Sequence, residues 1–193
     1  MNSTDKQPAR RMRVPVHTAV ERQIIPTYVP DRPEIHPLQA KAHIFYWKGM
    51  AMKASENEAD AARFFSEGAA QEGDFIAMEV SAHSEMTWYR ALSLRELGRE
   101  AEADQLLREL REYARKKLGS EAKIDYFATS LPLMLVFEED LQKRNQWESK
   151  YLLAQAEAGL GHIEEAKILA NEVLQLNSMH TGALNLIRNC DRT

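Results

Sequence analysis

Glu96-Leu97-Gly98-Arg99-Glu100-Ala101-Glu102-Ala103 and Gly159-Leu160-Gly161-His162-Ile163-Glu164-Glu165-Ala166 share Leu, Gly, Glu and Ala at the same places. Each string ends on the second of two small residues twelve positions apart: Ala91 and Ala103, then Ala154 and Ala166. Gly49 and Ala61 repeat that spacing a third time. Every pair lies in a helical pattern with a break between its members. A small residue on each of two antiparallel helices lets their backbones approach closely, so the spacing predicts helical hairpins.

Aligning the three pairs brings further positions into register. The turn position holds Gly98 and Gly161, but Glu56 in the first unit. Three and four residues past the second small residue stand Phe64 and Phe65, Leu106 and Leu107, Leu169 and Ala170. Seven past it come Gly68, Leu110 and Val173. The pattern predicts helices over Leu38 to Ala54, Ala59 to Gln71, Phe75 to Leu97, Glu100 to Leu118, Glu148 to Leu160 and Ile163 to Leu176. A last helix near Thr181 to Cys190 puts Ala183, Leu186, Ile187 and Cys190 on one apolar face. No strand pattern is read anywhere. The expected fold is all-α: a short helical-hairpin solenoid with an inserted helical segment and a C-terminal capping helix over 180–190. The units run over about 38–71, 75–118 and 147–178.

The spacing between units is uneven. Ala91 follows Gly49 by 42 residues, and Ala154 follows Ala91 by 63. Extra helix is therefore expected in an insert, Ala122 to Gln146. Its apolar run Leu131 to Phe137 reads as a buried helix. Ser130 is expected to cap it, with Pro132 in the first turn and Lys143 and Arg144 near its end.

Six of the seven prolines fall within the first 37 residues, and none of the eight glycines does. Proline fixes φ and removes a donor, so residues 1–37 read as a non-helical arm, partly disordered. Its six basic residues against four acidic ones give a net charge of +2, leaving -6 for residues 38–193 out of the total of -4. Ile24, Ile25, Tyr28 and Val29 equip the stretch to Pro37 to dock on helices.

Composition excludes several functions. A pI near 5.9 argues against a nucleic-acid or anionic-membrane binder. No apolar run approaches a membrane span, and no secretory signal is read. The single cysteine rules out an intramolecular disulfide and makes the cytoplasm the default compartment. The six histidines (His17, His36, His43, His83, His162, His180) show no metal-ligand spacing. His162 and His180 read as solvent-facing, and Cys190 as a packing residue. Glu138, Glu139 and Asp140 point about 100° apart on a helix, which suits solvation better than an ion. No phosphate loop, nucleophile elbow or zinc motif is present. The expectation is a non-enzyme without cofactor or metal.

The repeat resembles the tetratricopeptide repeat: small residue, turn, alanine, then a bulky residue, over two helices. The third unit ends Leu176-Asn177-Ser178, where that family has an apolar residue, Asp and Pro. The insert, with Asp125-Tyr126-Phe127-Ala128-Thr129-Ser130-Leu131-Pro132 and Val136 to Leu141, resembles something narrower. It is similar to the C-terminal tetratricopeptide region of a bacterial family of uncharacterised proteins. Longer members of that family carry a sugar-mutarotase-like β-domain, which is not expected within these 193 residues.

The resemblance implies a groove lined by the first helix of each unit. The positions concerned are Tyr46, Met50 and Lys53, then Trp88, Leu92 and Arg95, then Tyr151 and Gln155. Such a row suits a peptide or partner domain, because rigid aromatics give contact area at low entropic cost. It does not suit the carboxylate clamp of chaperone-binding relatives, which needs Lys and Asn at these places. The same aromatics also suit plain core packing. Two rivals stand beside peptide binding. One is self-association as a homodimer through the N-terminal arm. The other is an accessory role in a carbohydrate-processing system or enzyme.

Overall fold

Three turns close in the same way, and they set the architecture. Glu56, Gly98 and Gly161 adopt positive φ of 59°, 74° and 87°. After each, a backbone N–H reaches five residues back: Asn57 to Met52 O, Arg99 to Leu94 O and His162 to Glu157 O, all at 2.9 Å. This closure satisfies the last carbonyls of one helix and reverses the chain into the next. The register read from the sequence therefore holds even in the first unit, where glutamate stands for glycine.

The computed structural model describes residues 41–71, 74–76, 79–122 and 140–191. Seven helices fall among the described residues: α1 (Ala42–Ala54), α2 (Glu58–Ala69), α3 (Glu85–Glu96), α4 (Glu100–Leu118), α5 (Leu141–Gly159), α6 (Ile163–Leu176) and α7 (Thr181–Cys190). All belong to one unit, Leu38–Thr193, distinct from Met1–Pro37. The proline-rich arm and the core of the insert, with Ser130, Pro132 and Leu131 to Phe137, lie outside the described residues.

Among the described residues the fold is α-helical apart from one antiparallel hairpin, and that hairpin corrects the sequence reading. Strand β1 (Asp74–Ile76) pairs with β2 (Glu79–Ser81), Phe75 opposite Val80. The stretch read as one helix from Phe75 is thus hairpin first. Helix α3 starts only at Glu85, where Ser84 and Thr87 form a capping box: Ser84 Oγ accepts from Met86 N–H, and Thr87 Oγ1 accepts from Ser84 N–H. A second correction concerns α5, which begins at Leu141 rather than Glu148. Asp140 caps it by accepting from Lys143 N–H at 3.0 Å. Lys143 and Arg144 therefore sit in the first turn of a helix, not at the end of one.

Each small pair is buried. Ala61 and Ala91 are 1% exposed, and Ala103, Ala154 and Ala166 are fully covered. Gly49 is buried too, and a Cβ there would stand 2.5 Å from the Phe65 ring. Along the chain each helix touches the next, and α1 also touches α3, α3 touches α5, and α5 touches α7. The even-numbered helices make no comparable contacts with one another among the described residues. Two apolar clusters follow this connectivity. Ala91, Leu94, Ala103 and Leu107 fill the α3–α4 hairpin; Tyr151, Ala154, Ala166, Ala170, Val173, Leu186 and Cys190 join α5, α6 and α7. Cys190 is a core residue, as its place on the apolar face of α7 implied.

Candidate functional site

The odd-numbered helices, which touch one another in a row, carry aromatic residues in two groups. In the first, Tyr46 of α1 lies 5.2 Å from the Trp47 ring, 5.8 Å from Tyr89 of α3 and 6.1 Å from Phe65 of α2. His43 stands 5.9 Å from Tyr89, with Nδ1 3.0 Å from the Met86 sulfur. In the second group, His180 packs against Tyr151 at 4.4 Å and Trp147 at 5.1 Å. Offset and edge contacts of this kind stabilise by about 0.5–1.5 kcal/mol each beyond area burial.

The structure separates the eight residues read as groove-lining. Tyr46, Met50 and Leu92 are half-buried, and Lys53 is exposed. Lys53 is not free to hold a ligand: its ammonium bonds Glu96 at 2.5 Å, tying α1 to α3. That partner is the main reason its pKa is raised. Arg95 is likewise committed, donating to Asp104 at 2.8 Å and to the Gly159 carbonyl. Trp88 sits half-buried against the α3–α4 cluster and the α5–α6–α7 cluster, and a Cβ on Gly159 would come within 3.0 Å of it. It is a joint between hairpins, not a surface anchor. Tyr151 is 6% exposed and Gln155 only 1%. Burial is the largest cause of the upward shift in the Tyr151 phenol, followed by the charge of Glu85.

Sequence reasoning missed Trp47 and Tyr89. Trp47 is 49% exposed, a large aromatic open to solvent. The signal was available: Trp47 stands two residues before Gly49, and Tyr89 two before Ala91. His180, read as solvent-facing, instead caps α7, its Nδ1 accepting from Ala183 N–H at 3.0 Å. Burial lowers its pKa, against opposing effects of its own backbone and of Glu148. His162 keeps an exposed ring but bonds Glu157 at 2.6 Å. Glu157 is 4% exposed, and Arg111 and Arg115 of α4 also approach its carboxylate at 3.8 and 3.6 Å. These pairs tie α4 to the end of α5.

Glu85, in the first turn of α3, acts on both Tyr89 and Tyr151. The residue is exposed, yet its carboxyl is crowded by protein. That loss of water is the first cause of its raised pKa, reinforced by Glu148 and opposed by Lys117. Glu148 itself holds Lys117 at 2.8 Å and Arg144 at 2.7 Å.

A separate cavity of about 480 Å³ lies against the outer side of α4, between His83, Glu109, Glu112, Tyr113 and Lys116. Among the described residues no group of three His, Cys, Asp or Glu is placed to hold a metal. No helix there is long and apolar enough to cross a membrane. No family model matches the chain, and no solved structure matches it.

Proposed function

We propose that residues 38–193 form a tetratricopeptide-type helical-hairpin solenoid whose odd-helix face binds an extended peptide segment of a partner protein, without catalysis. The contact pattern supports the architecture. Among the described residues odd helices touch in a continuous row while even helices do not, as expected where the odd row lines the inside of a curve. The three identical turn closures support the same reading.

The observation that carries the function is the Tyr46–Trp47–Tyr89 group. It joins α1 to α3, leaves Trp47 half open to solvent, and provides stacked faces with few soft torsions. Trp and Tyr at the centre of such a surface are the usual energetic anchors of an interface. The anchors are thus Trp47 and Tyr89, with Tyr46 behind them, in place of Trp88 and Tyr151.

Peptide display panned against the immobilised protein tests the reading. Selection should enrich a common motif, and the double variant Trp47→Ala, Tyr89→Ala should lose that selection while still melting cooperatively. A folded double variant that selects the same motif with the same affinity would overturn the proposal.

A further inference from the structure

The cavity of about 480 Å³ on the outer side of α4 has a lining without any residue of α1 or α5, the helices of the aromatic groups. Arg108, Glu109, Glu112, Tyr113 and Lys116 contribute one broad face of α4 to it, and His83, between β2 and α3, completes it. Two rings form its apolar part. His83 and Tyr113 lie 5.4 Å apart, tilted by 49°. Ser81 braces both. Its hydroxyl donates to the His83 carbonyl at 2.6 Å, which uses its one proton, so the Tyr113 hydroxyl donates to Ser81 Oγ at 3.2 Å. Rings held in place before a ligand arrives offer contact area at low ordering cost. Burial is the first cause of the lowered His83 pKa, with Glu109 opposing it, so the imidazole adds no charge at neutral pH.

The charged groups of the lining are unevenly matched. Glu112 is held by Arg115 at 3.4 Å, and Glu109 accepts from Gln105 at 2.8 Å. Arg108 and Lys116, both exposed, make no hydrogen bond or ion pair among the described residues. Two cations and one carboxylate thus stand without a partner of opposite charge, an excess of one positive charge. The ligand this lining complements is a monoanion with a flat ring. A cavity of this size suits one small molecule. A guanidinium takes a planar carboxylate through paired hydrogen bonds, and a flat ring packs against the His83 and Tyr113 pair.

We propose that this cavity binds a small aromatic carboxylate, its ring against His83 and Tyr113 and its carboxylate at Arg108 and Lys116. The site is independent of the peptide-binding face. Both cations reach solvent, so the affinity is modest, with a Kd of about 1 mM.

The test titrates the isotope-labelled full chain, followed by NMR, with phenylacetate, with phenylacetamide, which lacks the charge, and with cyclohexylacetate, which lacks the flat ring. Phenylacetate should give saturable shifts centred on His83 and Tyr113, and the other two should bind about tenfold more weakly. Added salt should narrow the lead of the acid over its amide. The double variant Arg108→Gln, Lys116→Gln, at exposed positions, should erase that lead and leave the melting temperature unchanged. Several results would overturn the proposal: no saturation by about 20 mM phenylacetate, equal binding of either control compound, shifts centred on other residues, or a lead that survives in the double variant. Each would leave peptide selection by the odd-helix face untouched.

Discussion

Tyr46 and Tyr151 occupy the same place in the repeat, three residues before the first small residue, and meet opposite fates. Tyr46 is half-buried in a group that stays open through Trp47. Tyr151 is 6% exposed because α7 lies on it: Gly182 leaves room for its hydroxyl, and His180 covers the ring. Equivalent positions in a repeat share a direction along the helix. What the next helix brings decides whether that direction leads to solvent or to core. Among the described residues the N-terminal end of the odd-helix row is therefore the more open, and the C-terminal end is the seal.

The largest effect that would break this comparison is on stability. Tyr151→Ala should cost about 3–5 kcal/mol in urea unfolding, because it empties a packed site. Tyr46→Ala should cost about half as much or less. Equal losses would mean that the two tyrosines are packed alike. Next comes Gly182→Ala, whose Cβ would run into the Tyr151 hydroxyl. Overpacking of this kind costs about 1–3 kcal/mol. Hydrogen exchange should locate the loss in α7, leaving α1 and α2 protected.

Acid should loosen the same seal. His180 has a folded pKa below its ordinary value of 6.5, chiefly through burial, and its cap needs an unprotonated Nδ1. The unfolded chain then binds the proton more readily, so the stability this group contributes is present above pH 6.5 and lost as pH falls through the folded pKa. His83, also lowered by burial, adds loss of the same sign. His180→Asn keeps a capping acceptor that does not titrate there. It should remove part of the acid loss, about 1 kcal/mol for the cap; an unchanged pH profile would contradict the role given to His180. The smallest effect lies at the open end. Glu56 holds the left-handed turn that glycine holds at Gly98 and Gly161. Glu56→Gly should raise stability by about 0.5–1 kcal/mol, the relief of that strain less the entropy of glycine.

Much of the fold was legible in the residues. Helices α4, α6 and α7 begin and end where the sequence placed them, because each has a sharp signal: a turn glycine or cap before it and a periodic apolar face within it. The start of α3 was misread because Phe75 to Ser81 fits helix and strand patterns equally, and the hairpin was favoured by pairing that no local signal reveals. The start of α5 was misread because Gln142 to Gln146 are all polar, so periodicity was silent and only Asp140 marked it. The site was less legible than the fold. The register pointed to Trp88 and Tyr151, which the structure packs between hairpins and beneath α7. Trp47 and Tyr89 differ from their neighbours only in what packs around them, and one sequence does not state that.

Trp47, Trp88 and Trp147 give three indole N–H signals that separate surface from joint from seal. Titrating the isotope-labelled protein with a peptide taken from its own display selection, and following those signals by NMR, reads the occupied face directly. The account predicts that the Trp47 indole shifts or broadens in proportion to binding while Trp88 stays in place. Binding that moves Trp88 and leaves Trp47 unchanged would contradict it.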